Sequence, residues 1–376
     1  MDSGKIRSQL EMLANRLIKR QKHLKKWAHR TGAGAYRLYD KDIPEIPLVL
    51  DYYRNNEVQA ISGALYKRPY EKEANEEQQW LLCMKETIAD TLSIKPDHIF
   101  IKTREKQKNA EAYDGEKTGD SIGRASENGT KSLRPQYQKI AALRFDMNIQ
   151  ENEYLLKVNL SDYIDTGLFL DLRKLRKLVK EEASGKKILN LFCYTGSFSV
   201  AAAQGGAALV DSVDISNTYL QWTHDNFELN NLHAEYAGYA GRGPWSSSNK
   251  VTHKTCAGYR LIREDVFRFL DRPAADHRYD IIILDPPIFS RSKKMEGTLD
   301  IKRDFLTLLS RCFNILNPNG IIYFSVKAKT FRLDEASLRA SYKNITLTDI
   351  SEKIRDEDFK GKRLSPVYRI ERSKVG

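Results

Sequence analysis

Between residues 153 and 327, short apolar runs of strand length alternate with longer stretches at helical spacing, and this alternation narrows the possible folds more than any other feature of the chain. In order it reads EYLLKVNLSDYI, KKILNLFCYTG, SFSVAAAQGG, ALVDSVDIS, NTYLQWTHDNFELNN, YRLIREDV, YDIIILDPP, DIKRDFLTLLSRCFNILNPNG and IIYFSVK. Residues 281–284 form a continuous branched apolar run, as in a strand buried on both faces. Repeated strand and helix imply an α/β fold with a parallel sheet, whose ligands lie at the carboxyl ends of its strands.

At 376 residues the chain exceeds the roughly 250–300 that one hydrophobic core serves, so a second domain is expected upstream. Leu10, Leu13, Leu17, Leu24 and Trp27 recur at helical spacing among basic residues, which predicts an amphipathic basic helix. Strand patterns over 35–66, the helical stretch NEEQQWLLCMKETIADTLSI and the strand HIFIKTREKQK complete a small α+β domain. The expected division is 1–157 and 158–376. Residues 107–135 and 235–259 have no period of their own and read as loop insertions, one in each domain.

Of the net charge of +12, nine basic residues against Asp2 and Glu11 place +7 within residues 1–30, which favours a polyanionic partner. Cys83, Cys193, Cys256 and Cys312 have no ligand spacing, so no metal is expected, and with no secretory signal in view a reducing cytoplasm is the simple reading. The uncharged stretch 188–210 contains Asn190, Thr195, Gly196, Gln204 and a Gly205-Gly206 pair, and reads as strand, glycine turn and buried helix rather than a membrane span.

The chemistry follows from acids at strand ends. Asp214 closes the strand LVDSVD, twenty residues after Tyr194, where a carboxylate can accept from both hydroxyls of a ribose. A pyrophosphate would need G-x-G-x-x-G, yet Gly196 is flanked by Thr195, Ser197, Phe198 and Ser199. A nucleoside without phosphate fits better, and S-adenosylmethionine is the common one. Asp265 is then placed for the adenine amino group, and Asp285 for the sulfonium and the group to be methylated. Pro286 and Pro287 fix two φ angles and lack N–H donors, so the chain leaves the sheet stiffly and presents Asp285 and Phe289 in a set geometry. Such a turn suits a nucleobase, with oxygens on its edge and a ring on its face.

The segments VNLSDYIDTGLFLDLR, LNLFCYTGS, VDISNTYLQWTHDNFELN, DPPIFSRSKKM and DIKRDFLTLL, with YRLYDKDIPE and IKTREKQK upstream, resemble the C-terminal half of the bifunctional RlmKL enzymes, the RlmK-like 23S rRNA (guanine-N7)-methyltransferases. The likeness runs from Asn15 to about Phe331. It implies a Rossmann-like class I S-adenosylmethionine-dependent methyltransferase domain behind a small RNA-facing domain. It further implies that Thr166, Gly167 and Asp171 cover the cofactor and that Tyr194, Thr195, Gly196 and Ser197 line its methionine end. Asp214 would hold the ribose, Asp265 the adenine, and Asp285 to Phe289 the target base. The neighbours Asn190, Phe192, Ile215, Ser216 and Val266 join the expected cofactor set. RNA contact is expected from Arg291, Lys293 and Lys294, with Lys102, Arg104 and Lys106 and the helix residues Lys19 and Arg20 as wider anchors. The partner would be 23S rRNA or a large-subunit assembly intermediate. The RNA-binding THUMP domain and second methyltransferase of RlmKL are absent, so its other guanine activity is not expected. FSVKAKTF also stands where the family has an Asn-rich turn.

Guanine N7 carries a free lone pair, so its methylation needs no general base, and alignment in a shielded site can supply most of the catalysis. Cytosine-C5 methylation instead needs a cysteine nucleophile. The places where relatives carry it read Ser325-Val326-Lys327 and Asp285-Pro286-Pro287-Ile288 here. A non-catalytic assembly factor that keeps the fold would not need the strand-end acids.

Overall fold

The computed structural model describes residues 3–66, 73–104, 144–237, 258–272, 278–291 and 298–373. The chain divides into two compact units, one drawn from Met1–Met147 and Val158–Thr166, the other from Asn148–Lys157 and Gly167–Gly376.

In the first unit, α1 (Ser3–Thr31) buries Leu13, Leu17, Leu24 and Ala28 completely on one face, while its basic side chains occupy the others. Each such leucine contributes roughly 1.5–3 kcal/mol of burial, enough to hold a helix whose remaining surface is polar. The sheet consists of β1 (Ala35–Asp40), β2 (Leu48–Arg54), β3 (Gln59–Tyr66) and β4 (Ile99–Arg104), in that order. The first three strands are antiparallel neighbours, and α2 (Ala74–Leu92) provides the crossover that makes β4 parallel to β3. Trp80 of α2, fully buried, donates through Nε1 to Gln9 of α1 at 2.7 Å, which satisfies the indole and ties the two helices together.

A hairpin of β5 (Asp146–Glu151) and β6 (Tyr154–Asn159) follows. The division expected at 157/158 falls inside β6, whose residues are shared between the units. The insertion expected at 107–135 lies outside the described residues, as does most of that at 235–259.

The second unit has the strand and helix alternation read from the sequence. Its strands are β7 (Lys187–Leu191), β8 (Leu209–Asp214), β9 (Ala234–Tyr236), β10 (Gly258–Arg263), β11 (Tyr279–Leu284), the short pair β12 (Phe289–Arg291) and β13 (Thr298–Asp300), then β14 (Leu316–Ser325), β15 (Ile345–Asp349) and β16 (Val367–Arg372). Interleaved are α3 (Arg173–Glu182), α4 (Ser197–Gln204), α5 (Asn217–Glu228), α6 (Val266–Leu270), α7 (Ile301–Ile315) and α8 (Glu335–Ser341). The main sheet runs β15-β16-β14-β11-β7-β8-β10-β9, parallel from β14 to β9 and antiparallel at β16 and β15.

From β7 the chain winds outward to β8 and β10, then returns to lay β11 on the other side of β7. The crossovers diverge there, the point at which open α/β sheets hold their ligands, outside the strands' carboxyl ends. Ile281 to Leu284 are almost completely buried, as a strand covered on both faces requires, and α7 packs Phe305, Leu308, Leu309, Cys312 and Phe313 into the same core. The uncharged stretch 188–210 forms β7, a tight loop, α4 and the start of β8, and among the described residues no helix is long and apolar enough to cross a membrane.

Candidate active site

The loop from β7 to α4 places Phe192, Tyr194 and Gly196 alternately in left-handed backbone conformations, with φ of 55°, 54° and 74°. Two of the three are aromatic, for which this region is costly, so surrounding bonds must hold it. Those bonds come largely from α5. Thr223 Oγ1 donates to the Tyr194 carbonyl at 3.0 Å, and Asn226 Nδ2 donates to the Thr195 carbonyl at 2.8 Å. Thr195 Oγ1 in turn donates to the Gly167 carbonyl at 2.6 Å. A Cβ on Gly196 would stand 2.2 Å from Thr223 Cγ2, and one on Gly167 2.4 Å from the Trp222 ring. Both positions therefore exclude larger residues.

Three acids stand at or just beyond the carboxyl ends of three parallel strands of the sheet. Asp214 closes β8, and its two oxygens accept the amides of Tyr194 at 3.1 Å and Ser216 at 2.8 Å. Burial pushes this carboxyl up to about 6, against the lowering effect of the Ser216, Tyr194 and Ile215 amides. Asp265, two residues beyond β10, caps α6 with Oδ1, which takes the amides of Phe267 and Arg268 at 3.0 and 3.2 Å. Asp285 follows β11 and accepts through Oδ1 from the hydroxyl of Ser325, the last residue of β14. Its carboxyl is raised, chiefly by burial, against the lowering influence of Lys327 and the Ser325 hydroxyl.

The rings of Phe169 and Tyr194 stack at 5.4 Å, and Tyr219 meets Tyr194 edge-on at 4.6 Å. Lys327 Nζ lies 4.2 Å from the Phe169 ring centre and 3.7 Å from Asp171 Oδ1. Phe169, Tyr219, Ser325 and Lys327 were not among the site residues expected from sequence. Aromatics near a glycine turn carry no spacing signal, and only the fold brings residues 169, 194, 219 and 327 together.

Behind this row stands a buried ionic cluster. Arg176 grips Glu151 with Nε and Nη2, both at 2.6 Å, and donates from Nη1 to the Phe169 carbonyl at 2.9 Å. Arg173 reaches Asp356 at 3.0 Å and Asp358 at 3.2 Å. The Glu151 carboxyl is depressed: burial opposes ionisation, but Arg176 and Arg173 outweigh it.

The remaining expected residues are distributed as follows. Asn190 is 1% exposed and donates to Ser199 Oγ at 2.9 Å, so its amide serves the packing of β7 on α4. Val266 lies in the hydrophobic core. Ser197 opens α4, and Ile215 and Ser216 form the β8–α5 junction, where Ser216 caps α5. Thr166 is buried in the first unit, its hydroxyl 2.9 Å from that of Tyr53. Pro286 and Pro287 lead from Asp285 into β12, where Phe289 is 48% exposed. Lys102 donates to the Tyr163 carbonyl, Arg20 to the carbonyls of Leu38 and Arg37, and Lys19 is exposed on α1. Lys106, Lys293 and Lys294 lie outside the described residues, and Arg104 and Arg291 are described in their backbone alone.

The donor set suits a cationic nucleoside. Carboxylates can accept from ribose hydroxyls and an adenine amino group, and the stacked rings of Phe169 and Tyr194 can lie against a sulfonium. The turn after β7 reads Thr195-Gly196-Ser197-Phe198-Ser199, without the glycine spacing that receives a pyrophosphate. Among the described residues there is also no cluster of side chains able to hold a metal ion.

Comparison with known proteins agrees. Residues 142–269 match the model of a family described as S-adenosylmethionine-dependent methyltransferase. Two solved structures share the fold with a TM-score of 0.63 over 96% of this chain and 81% of theirs. One is a methyltransferase complexed with S-adenosylhomocysteine, at 22% identity, and the other a methyltransferase from Streptococcus mutans, at 21%. Ribosomal RNA large subunit methyltransferase K of Neisseria meningitidis is 39% identical over 359 residues, 95% of this chain and 86% of that protein. Ribosomal RNA large subunit methyltransferase K/L of Saccharophagus degradans is 39% identical over 351 residues, 93% of this chain but 40% of the longer relative. S-adenosylmethionine is thus the cofactor, and likeness sustained along nearly the whole of the Neisseria protein means that the chain belongs to the ribosomal RNA large subunit methyltransferase K family.

Proposed function

We propose that the chain methylates N7 of a guanine in 23S ribosomal RNA, with the base seated at the turn from Asp285 to Phe289. The observation that carries this reading is Phe289: a half-exposed aromatic at the carboxyl side of β11, four residues beyond a strand-end carboxylate. An exposed ring there offers a stacking face for an unstacked base, worth about 1–3 kcal/mol. The relatives named for large-subunit ribosomal RNA support the substrate class. Thiol chemistry at cytosine C5 is disfavoured, because Cys193 and Cys312 are buried and burial pushes both thiols up.

Bound S-adenosylmethionine supplies an electrophilic methyl group. Tyr194, Gly196 and Ser197 would hold its methionine end, Asp214 would accept from the ribose hydroxyls, and Asp265 would receive the adenine amino group. Pro286 and Pro287 fix the path between Asp285 and Phe289. Asp285 stabilises the positive charge that develops on the methylated base. The unit before the hairpin is the RNA-facing one, with Lys19 on α1 among its anchors, and the enzyme works in the cytoplasm on 23S rRNA or an assembly intermediate.

Incubation with labelled S-adenosylmethionine and unmodified large-subunit rRNA, followed by nucleoside mass spectrometry, is expected to yield 7-methylguanosine. A 5-methylcytidine product would overturn the reading. Activity should also fall steeply with added salt, as counterion release from a polyanion requires.

Ribose hydroxyls donate to the ionised form of Asp214, so cofactor affinity should fall as pH drops through about 6. In the free protein the same raised carboxyl acts oppositely. Stability decreases as pH rises from the ordinary carboxylate range through about 6, because the unfolded chain has already released that proton. Calorimetric titration from pH 5 to 8 should show the affinity trend in the wild type (~1.4 kcal/mol per pH unit at the steepest) and a flat profile in Asp214→Asn. Gly196→Ala should weaken cofactor binding about tenfold or more, since a left-handed non-glycine residue costs about 1–3 kcal/mol before the contact with Thr223 is counted. Unchanged affinity in a folded Gly196→Ala protein would separate this loop from the cofactor.

A further inference from the structure

We infer that Lys327 selects guanine, by donating a hydrogen bond from its ammonium to O6 of the target base; this rests on the guanine-N7 reading. Lys327 follows β14, two residues beyond the Ser325 that holds Asp285. Its Nζ is buried and, among the described residues, has no hydrogen-bond acceptor. The nearest carboxylate, Asp171 Oδ1, is 3.7 Å away, beyond hydrogen-bond range, and the Phe169 ring closes one side at 4.2 Å. A buried ammonium with three unused donors is costly unless an acceptor arrives.

Guanine brings such an acceptor to the same edge as N7. Its O6 lies beside N7, whereas adenine presents there an amino group, a donor that would meet the ammonium donor to donor. Two acids interact with the charge of Lys327: Asp171 at 3.7 Å, and Asp285, whose carboxyl that charge pulls down. Together they offset the cation, so a base that becomes positive on methylation does not face an uncompensated charge. The one ammonium thus reads the base while the two carboxylates stabilise the product.

The test is a cycle between enzyme and substrate. The methylated position is first mapped with the wild-type enzyme by nucleoside mass spectrometry, and a product other than 7-methylguanosine would remove the underlying reading whatever Lys327 does. An rRNA fragment is then made with guanine or with 2-aminopurine, which keeps N7 and the 2-amino group but lacks O6, at that position. For the wild type, kcat/KM should fall on the order of 10- to 100-fold from guanine to 2-aminopurine. Lys327→Met, which keeps the length of the stem, should lose a similar factor on guanine and little further on 2-aminopurine. The cycle cancels any intrinsic difference in N7 reactivity. Additive losses, or equal wild-type rates on both RNAs, would overturn the assignment with the N7 reading intact. So would a loss in Lys327→Met accounted for by weaker S-adenosylmethionine binding, which would make Lys327 a cofactor ligand.

Discussion

Asp285→Asn is expected to lower kcat by about 100- to 1,000-fold, the usual cost of removing one preorganised charge at a reacting centre, while cofactor affinity stays close to that of the wild type. Asparagine keeps the shape of the side chain and can still accept from Ser325, so Pro286, Pro287 and Phe289 retain their path. What disappears is the negative charge facing a base that becomes cationic. The pH profile adds a second readout. Burial raises the Asp285 carboxyl, so activity should fall as pH drops through that raised value, and the asparagine variant should lack this limb. Full turnover in a variant that binds S-adenosylmethionine normally would refute an electrostatic role for Asp285.

Arg176→Met should destabilise the second unit by about 3–5 kcal/mol, because it removes both hydrogen bonds that pair the buried Glu151 and leaves Arg173, 3.8 Å away, as its nearest cation. Arg176 makes two bonds to Glu151 and one to the Phe169 carbonyl, and both side chains are almost wholly buried. Urea titration gives the loss directly, and Arg176→Met with Glu151→Leu should recover part of it, since no lone charge then remains in the interior. The stabilisation from depressed Glu151 is present at neutral pH and lost as pH falls through its lowered value. Because Arg176 also holds the backbone at Phe169, the single variant should lose activity at temperatures where it is still folded. A variant as stable as the wild type would mean that water reaches Glu151 and the cluster is not truly buried.

The order of elements in the second unit was legible because β7, β11 and β14 each contain a run of apolar residues and β8 mixes Leu and Val with Asp and Ser before an acidic end, local patterns that need no knowledge of neighbours. The acids Asp214, Asp265 and Asp285 were legible for the same reason, since each stands at or just beyond the end of such a run. The ionic cluster was not. Arg173 and Arg176 sit in RKLRKLVKEE, which has the composition of a solvated basic helix, yet Asp356, Asp358 and Glu151 draw them inward from distant parts of the chain. β15, β16 and α8 extend the unit beyond the last element expected from sequence. The hairpin of β12 and β13, three residues in each strand, is too short for periodicity to register, yet it carries Phe289.

By itself the sequence determined the α/β class, the positions of the strand-end acids, the stiff Asp285-Pro286-Pro287 exit and the basic character of α1, all properties of residues close together along the chain. Only the tertiary structure decided which of these become partners. The reversal of strand order between β7 and β11 brings Asp214 and Asp285 to one end of the sheet, and packing against α5 holds Tyr194 in a left-handed conformation it would not adopt alone. The same packing turns Lys327 from a polar residue after a strand into a buried ammonium beside Asp171 and Phe169. These pairings join residues 25 positions apart at Glu151 and Arg176 and 183 apart at Arg173 and Asp356, and no short window of local sequence contains both members of such a pair.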